Sequence, residues 1–328
     1  MLHIQTFQER IQEEISRLKF TQEPKELYKP IEYILSLGGK RIRPTLVLLG
    51  CELFGGNIEK ALQPALGIEV FHNFTLLHDD IMDNAPLRRS KPTVHEKWNN
   101  NIAILSGDTM CVMAYQMMMQ VDAVHLRKVL DIFNDTAIKV CEGQQLDMNF
   151  EKRNNVSIAE YMHMIELKTA VLLACSLKIG ALISNASEEE AQHLYEFGKN
   201  IGLSFQLQDD ILDVYGNPDI FGKQVGGDIV SNKKTFLLLK AFELANQYTK
   251  EELGNWMHAT TFVPEEKVQA VTQIYDFLGI KTLAQKEMDK YFESGLAHLT
   301  KIHPTNNKVT EGKEQLKAFA ESLMARKI

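Results

Sequence analysis

The sequence has few cysteines, few turn-forming residues and no long apolar run. Its four cysteines, at positions 51, 111, 141 and 175, include no Cys-x-x-Cys pair, which disfavours a disulfide framework or a zinc knuckle. Only 19 glycines and 9 prolines occur among 328 residues, fewer than in an average protein, so we expect long helices with few corners. No window approaches the roughly 18 consecutive apolar residues that a membrane-spanning helix needs, so no membrane span is expected.

An excess of positive charge is also missing. Lysine and arginine total 36 against 43 aspartates and glutamates, a formal net charge of −7, which disfavours a nucleic-acid-binding protein. Apolar residues make up 45% and charged residues 24%, as in ordinary globular proteins and unlike a disordered chain. The first twenty residues lack the basic segment and apolar run of a secretory signal. We therefore expect a cytoplasmic protein.

Apolar residues recur at helical spacing almost throughout, beginning with a stripe in residues 4–18. Pro24 and Pro30 are interpreted as a link between helices, whereas alternating runs of strand type are nearly absent. The pattern predicts one all-α domain spanning 1–328, a single large bundle of ten or more helices. The predicted helices after the first cover 31–37, 46–53, 65–77, 102–119, 124–140, 158–183, 188–212, 235–247, 264–278, 280–296 and 311–325.

Two of the central segments, 102–119 and 170–183, are apolar nearly all round. Such helices are expected at the centre of a bundle. The first of them is rich in methionine, which is typical of ordinary core, although an adaptable binding groove is the alternative.

The most specific pattern is an aspartate-rich motif that occurs twice, as HDDIMD and QDDILD. On a helix, residues four apart project from one face, so Asp79 lies beside Asp83. The second copy repeats this pairing with Asp209 and Asp213. Because like charges at this spacing destabilise a helix, each pair is expected to hold a cation. Aspartates without interleaved histidine or cysteine suit Mg²⁺ better than zinc, although a solvated acidic face is the alternative for either copy alone.

Basic residues accompany both motifs. GGKRIRP supplies Lys40, Arg41 and Arg43 just before a predicted helix, and Arg88 and Arg89 follow the first acidic motif. Lys168 lies in the otherwise apolar helical stretch 164–183, and further lysines follow the second motif at positions 223, 233 and 234. Mg²⁺ usually bridges carboxylates to phosphates, which these cations would also bind. GGKR is not a Walker A loop, and any one of these residues alone is also explained as a solvated surface charge.

Seven segments occur here in the order found in trans-type, head-to-tail isoprenyl diphosphate synthases, a family that the chain resembles between about residues 38 and 236. They are GGKRIRP, HDDIMDNAPLRR, GQQLD, ELKTA, FQLQDDILD, GKQVGGD and NKKT. The resemblance implies the isoprenoid synthase fold around a central apolar cavity, and a homodimer. It also implies that isopentenyl diphosphate is condensed with dimethylallyl, geranyl or farnesyl diphosphate to a C15–C20 product, with C20 favoured.

The resemblance further implies roles for individual residues. Direct ligands of Mg²⁺, of which three ions are expected, are Asp79, Asp83 and Asp209, supported by Asp80, Asp210 and Asp213. The allylic diphosphate is expected on Arg88, Lys168, Thr169, Gln206, Lys223 and Lys233. The isopentenyl diphosphate pocket is expected to contain Lys40, Arg43, His72 and Arg89, and further substrate-binding candidates are Gln144 and Phe205. The catalytic set is expected to be Asp79, Asp83, Arg88, Lys168, Asp209 and Lys223.

The length of the product is expected to depend on the helix that precedes the first motif. Phe74 and Thr75 lie five and four residues before Asp79, and each helical residue adds about 1.5 Å of depth. Phe74 would then limit the prenyl tail roughly 7.5 Å below the carboxylates, although five residues rotate the helix by about 140°, so this role rests on the resemblance. Met113 or Met117 could close the cavity sooner.

Other classes share part of this pattern. A class I terpene cyclase has the same fold and one aspartate-rich motif, but it does not need GGKRIRP or a second such motif. A head-to-head synthase of the squalene type also lacks GGKRIRP. A non-catalytic or modifying subunit of a heteromeric synthase usually loses one acidic motif, whereas both are present here. A purely metal-binding or structural role leaves the basic residues unexplained.

Overall fold

The structure, a computed structural model, describes residues 2–216, 225–303 and 307–325, and most of these residues are helical. The helices are α1 Leu2–Arg17, α2 Lys25–Ser36, α3 Ile42–Leu53, α4 Ile58–Met82, α5 Val94–Lys97, α6 Asn100–Met118, α7 Ala123–Glu151, α8 Ile158–Ile165, α9 Val171–Ile183, α10 Glu188–Tyr215, α11 Gly227–Val230, α12 Phe236–Leu244, α13 Gln247–His258, α14 Pro264–Phe277, α15 Ile280–Thr300 and α16 Asn307–Met324. A π-helical turn, Glu166–Ala170, joins α8 to α9, and β1 Leu87–Arg88 pairs with β2 Lys91–Pro92 in a short antiparallel hairpin. The all-α prediction is confirmed.

The chain divides into two compact units. Unit 1 comprises Met1–Asp135, Cys175–Tyr195 and Ile302–Leu316, and unit 2 comprises Thr136–Ala174, Glu196–Lys301 and Lys317–Ile328. A single domain with a central apolar cavity stays a prediction.

In unit 1, α4 packs against α3 and α6, and small residues set the spacing of the helices. A Cβ on Gly67 of α4 would lie 3.1 Å from the Ala114 carbonyl oxygen and 3.2 Å from the Met117 Cβ. A Cβ on Gly50 of α3 would lie 2.5 Å from the carbonyl oxygen of Leu177 in α9. The missing side chains therefore allow these backbones to approach closely.

In unit 2, α14 packs against α11, α13 and α15. Lys267, Val271 and Tyr275 on α14 are four residues apart, and no more than 2% of the surface of any of them is exposed. They share one face of the helix, which is directed into the core. A lysine on this buried face departs from the apolar pattern that the sequence suggests.

The prediction of a link at Pro24 and Pro30 is wrong, because Pro30 lies inside α2. Pro24 is the N-cap, with an extended backbone. Pro30 removes one backbone hydrogen bond from the helix. The buried stripe of Ile31, Ile34 and Leu35 on the same helix compensates for this loss.

The predicted helix 158–183 begins and ends as observed, at Ile158 and Ile183, and it contains the π-helical turn, where one extra residue is accommodated without breaking the helix. Another predicted boundary is wrong. The predicted helix 235–247 ends at Leu244, and it is followed by α13, which the apolar pattern does not predict. The cap of α13 is Asn246, whose side chain accepts a hydrogen bond from the Thr249 backbone N–H (2.9 Å).

The central position expected for segment 102–119 is also only partly correct. Almost every residue of α9 is buried, as expected for its apolar sequence. In contrast, Leu105, Val112 and Met119, on and just after α6, are more than half exposed. Only one side of α6 is therefore buried within the chain. None of the described helices is both long and apolar enough to cross a membrane.

Candidate active site

The first aspartate-rich motif forms the last turn of α4. Asp83 is the C-cap, and its backbone N–H donates to the Asp79 carbonyl oxygen (2.9 Å), so the two residues lie one turn apart. The helix ends because Asn84 adopts a positive φ of 49° and Pro86 follows. Acidic side chains at a helix C-terminus add to its partial negative charge, so this end of α4 favours a cation.

The middle aspartate of this motif has a different partner. Asp80 is buried, and both of its carboxylate oxygens accept hydrogen bonds from Arg88 of β1, from Nε at 2.8 Å and from Nη2 at 2.7 Å. This forked pair fixes the plane of the guanidinium. Asp80 therefore orients the side chain that the sequence predicts to bind the allylic diphosphate.

Basic side chains from GGKRIRP, α4 and the hairpin lie close together in unit 1. The Arg43 guanidinium donates to His72 Nε2 (3.2 Å), and the Arg89 guanidinium lies over Gly39, where a Cβ would approach it to 2.7 Å. Burial, followed by the charges of Arg43, Arg88 and Arg89, lowers the pKa of His72 well below its usual 6.5, so the ring is neutral at pH 7. We refer to Arg43, His72 and Arg89 as the arginine pocket.

Two features of the arginine pocket indicate an anion. Arg43 Nε is buried and has no hydrogen-bond partner among the residues that the structure describes, and burial lowers the pKa of this guanidinium to about 10. Arg89 and Ser90 form the two-residue loop of the hairpin, both at positive φ (53° and 61°), without a glycine. Backbone strain of this kind is found mainly where a side chain must be held in place.

The other cations of GGKRIRP have different environments. Arg41 is buried and forms an ion pair with Glu69, and its NH2 donates to the Leu35 carbonyl oxygen (2.8 Å). Lys40 is exposed. Arg41 therefore stabilises the junction of α2, α3 and α4, whereas Lys40 remains a candidate for substrate binding.

The predicted chain-length residues lie along α4 and α6. The Phe74 ring contacts Phe71 and His78, with centroids at 5.5 and 4.8 Å. The Thr75 hydroxyl donates to the His72 carbonyl oxygen (2.8 Å), so it is turned back against the helix.

Met117 lies against Gly67 of α4. Gly67 is about 18 Å along the helix from Asp79, compared with about 7.5 Å for Phe74. Met117 therefore lies about 10 Å deeper than Phe74 along α4, and a role of Met113 or Met117 in closing a cavity stays a prediction. Met113 is partly buried one turn nearer on α6.

The second aspartate-rich motif lies on α10 in unit 2. The buried Asp210 accepts hydrogen bonds from the Tyr161 hydroxyl and from Gln206 Nε2 (3.2 Å). Burial and then the charge of Asp228 raise the pKa of Asp210 to about 8, against the opposite effect of these two hydrogen bonds. A cation at this cluster would favour the ionised carboxylate.

The GGD segment lies beside this motif. The Asp228 backbone N–H donates to Asp213 Oδ2 (3.0 Å), and the Gly226 N–H donates to the Asp213 carbonyl oxygen (2.6 Å). Gly226, at a φ of 85°, begins the short helix α11. Through these two hydrogen bonds Asp213 links α11 to α10, and Asp228 lies near Asp210 as a result.

The π-helical turn presents two predicted substrate ligands. Lys168 Nζ lies 2.5 Å from the Asp147 carboxylate, which is the partner that an ammonium in an apolar helix requires. The Thr169 hydroxyl donates to Gln206 Oε1 (3.3 Å). A Cβ on Gly143 would lie 2.3 Å from the Lys168 backbone nitrogen, so this glycine allows α7 to approach the turn. π-helical turns are frequent at functional sites.

The remaining predicted residues of unit 2 differ in their exposure to solvent. Gln144, Phe205 and Asp209 are partly buried, and Lys233 is exposed, with its backbone N–H donating to the Asp228 carbonyl oxygen (2.9 Å). Lys223 lies outside the described residues.

The donor set fits Mg²⁺ that is bound together with a phosphate. In the described parts of the chain, no three metal-ligating side chains converge on one point. Mg²⁺ is usually bound by one or two carboxylates, with water and substrate phosphates completing the shell. The carboxylates of Asp79 and Asp83 could supply such ligands, and their hard oxygen donors suit Mg²⁺ better than zinc.

Comparison with known proteins identifies the family. The polyprenyl synthetase family model matches residues 24–276. The chain belongs to the polyprenyl synthetase family. This confirms the resemblance and the prenyltransferase class, and members of the family generally use Mg²⁺.

Individual members of the family are similar to this chain over most of their length. The chain is 41% identical to a geranylgeranyl diphosphate synthase of Methanosarcina mazei over 263 residues, which is 80% of each protein. It is 40% identical to a geranylfarnesyl diphosphate synthase of Natronomonas pharaonis, covering 70% of this chain and 73% of that one. A crystal structure of a geranylgeranyl pyrophosphate synthase superposes with a TM-score of 0.93 at 42% identity, covering 99% of both chains.

Three residues of the polar networks were missed at the sequence level. Asp147 and Asp228 lie inside quoted motifs, GQQLD and GKQVGGD, and the final aspartate of each was the available signal. Tyr161 lies outside every motif, and its bond to Asp210 joins residues far apart in sequence. No local pattern indicates such a contact.

Proposed function

We propose that this chain condenses isopentenyl diphosphate with an allylic diphosphate, head to tail, in a Mg²⁺-dependent reaction whose main product is the C20 compound geranylgeranyl diphosphate. The observation that carries the proposal lies in unit 1. An aspartate pair on the last turn of α4, the oriented guanidinium of Arg88 and the arginine pocket offer places for two separate diphosphates. Relatives that make geranylgeranyl diphosphate support the C20 product.

The allylic diphosphate is the leaving group in this reaction. Bound Mg²⁺ would supply Lewis-acid stabilisation of the charge that develops on this leaving group, and Asp79 and Asp83 would hold the ion. Asp209 on α10 is a further proposed ligand of Mg²⁺. Arg88 adds forked hydrogen bonds without reorienting, because Asp80 already fixes its plane.

Three lysines are further proposed ligands of the allylic diphosphate. Lys168, Lys223 and Lys233 would act as point charges on its phosphates. The proton that leaves after bond formation is assigned to the released diphosphate.

The diphosphate of isopentenyl diphosphate is not a leaving group, so it needs binding and no activation. The arginine pocket provides this with two guanidiniums and a neutral imidazole. The unpartnered Arg43 Nε is a buried donor ready for a phosphate oxygen. The exposed Lys40 is a further proposed ligand of this diphosphate.

A homodimer acting in the cytoplasm is part of the proposal. Leu105, Val112 and Met119 are spaced by seven residues and form an exposed apolar stripe on unit 1. A second copy of the chain is the proposed occupant of this stripe. Light scattering should give about twice the 37.4 kDa of one chain, and Val112→Glu should produce a monomer. A fully active wild-type monomer would exclude the dimer.

Release of inorganic diphosphate tests the reaction class. We expect release only when isopentenyl diphosphate, an allylic diphosphate and Mg²⁺ are all present. Release from a single allylic substrate would indicate a terpene cyclase. No release from any combination would indicate a non-catalytic subunit.

A further inference from the structure

Lys267 is a buried lysine outside every motif that suggested the function. It lies on α14 with 0% of its surface exposed. Within residues 2–216, 225–303 and 307–325, no carboxylate lies within ion-pair distance of its ammonium group. Burying an ammonium is costly unless hydrogen bonds and dipoles compensate for the lost water, so the contacts that compensate should explain why it is there.

The ammonium group of Lys267 contacts two residues that follow the second aspartate-rich motif, Val230 and Asn232, and the aromatic ring of Phe262. Lys267 Nζ donates to the Asn232 side-chain oxygen and to the Val230 carbonyl oxygen (3.4 Å), and it lies 4.4 Å from the centre of the Phe262 ring. Val230 is the last residue of α11. The ammonium therefore caps the C-terminal end of α11, where unpaired carbonyl groups carry partial negative charge.

The other end of α11 is fixed just as closely. Asp213 accepts the Asp228 backbone N–H, and a Cβ on Gly226 would lie 2.5 Å from Val268 Cγ2. The neighbouring residues Val268 and Lys267 of α14 thus contact the beginning and the end of α11. Asp228 lies between these two contacts, so its position depends on both.

We propose that Lys267 is a positioning residue for the second aspartate-rich motif. Lys267 holds α11 in the position in which Asp228 and Asp213 face Mg²⁺. This inference rests on the proposed function. Lys267 touches neither substrate nor metal in this account. Its effect passes through Val230 and Asn232 to the carboxylates.

The direction of the effect separates positioning from simple electrostatics. Removing a nearby positive charge through space would tighten the binding of Mg²⁺. Loosening the carboxylates would weaken it, and loss of such a supporting contact typically costs about 10- to 100-fold in metal affinity. A purely structural role in the core would lower thermal stability without changing Mg²⁺ affinity.

The test is a calorimetric titration of Mg²⁺ into the full-length protein at saturating inorganic diphosphate. Lys267→Met keeps the length of the side chain and removes the charge, and we expect at least about tenfold weaker Mg²⁺ binding. The matched control is Lys290→Met, at an exposed lysine paired with Glu287, which should leave the affinity unchanged. The KM for isopentenyl diphosphate should stay within twofold in both variants.

A second variant covers the case in which Lys267→Met does not fold. Asn232→Gly removes the acceptor of the ammonium, and glycine suits the positive φ of 57° at this position. It should weaken Mg²⁺ binding in the same direction. Wild-type affinity or tighter binding in the folded variant would overturn the inference. If the wild-type protein itself binds no Mg²⁺ with diphosphate, the proposed function fails instead.

Discussion

Asp80 accepts two parallel hydrogen bonds, 2.8 and 2.7 Å long, from the guanidinium of Arg88. The three aspartates of the first motif therefore differ in role. Asp79 and Asp83 lie one turn apart at the end of α4, whereas the buried Asp80 is directed towards the hairpin. One motif thus combines a carboxylate pair, which we propose to bind a cation, with the hydrogen-bonding partner of Arg88, which we propose to bind an anion.

Replacing Asp80 by asparagine tests this division. Asp80→Asn removes the charge that pairs with Arg88, and we expect kcat/KM for the allylic diphosphate to fall about 10- to 100-fold, as when supporting contacts of a ligand are lost. The KM for isopentenyl diphosphate should change little. Asp131→Asn, at an exposed aspartate paired with Arg127, is the matched control. Unchanged allylic kinetics in Asp80→Asn would contradict the assignment.

Two adjacent glycines allow a sharp test of the arginine pocket. Gly38 and Gly39 both have positive φ, but a Cβ on Gly39 would meet the Arg89 guanidinium at 2.7 Å, while a Cβ on Gly38 meets nothing within 4 Å. The added methyl group of Gly39→Ala should therefore displace the Arg89 guanidinium and raise the KM for isopentenyl diphosphate about tenfold or more. A tenfold change corresponds to about 1.4 kcal/mol of lost binding free energy. Gly38→Ala shares the backbone strain and should leave that KM near the wild-type value. Equal KM values in the two variants would argue against Arg89 as a ligand.

The buried His72 should make stability depend on pH. Its pKa is lowered in the folded chain, mainly by burial and then by Arg43, so below about pH 6.5 the unfolded chain binds more protons. Stability is therefore expected to fall as the pH drops below 6.5. In thermal unfolding of the ligand-free protein at pH 7.5 and 5.5, His72→Asn should show a smaller loss of Tm than the wild type. An equal loss would show that His72 does not titrate in this way.

Replacing Phe74 should change the length of the product more than replacing Met117. Phe74→Ala opens the level nearest to Asp79 along α4, and we expect products longer than C20. Met117→Ala alone should leave the C20 product dominant, because Met117 lies against Gly67, about 10 Å deeper than Phe74. The double variant should give the longest chains on chromatography of the dephosphorylated products. An unaltered spectrum in Phe74→Ala would remove its role.

The sequence was most informative where a single element carries the pattern. The spacing of Asp79 and Asp83 placed both on one helical turn, and the apolar periodicity located most helices to within a few residues. It was least informative where contacts join distant segments. Tyr161 to Asp210 and Lys267 to Asn232 depend on how helices pack, and nothing near these residues in the sequence encodes the packing.

Local departures from regular structure were also hidden. The π-helical turn at Lys168 differs from an α-helix by one residue, a change that apolar periodicity cannot resolve. Pro30 resembles a helix breaker in sequence but is tolerated because α2 buries the face beside it. In both cases the surrounding packing outweighs the local signal.

The most direct test of the central claim is the product of the wild-type enzyme. Purified protein is incubated with farnesyl diphosphate, isopentenyl diphosphate and Mg²⁺, and the dephosphorylated products are separated by chromatography. We expect geranylgeraniol, C20, as the main product, and none when Mg²⁺ is chelated. A main product beyond C25, or none at all with both substrates present, would contradict the account.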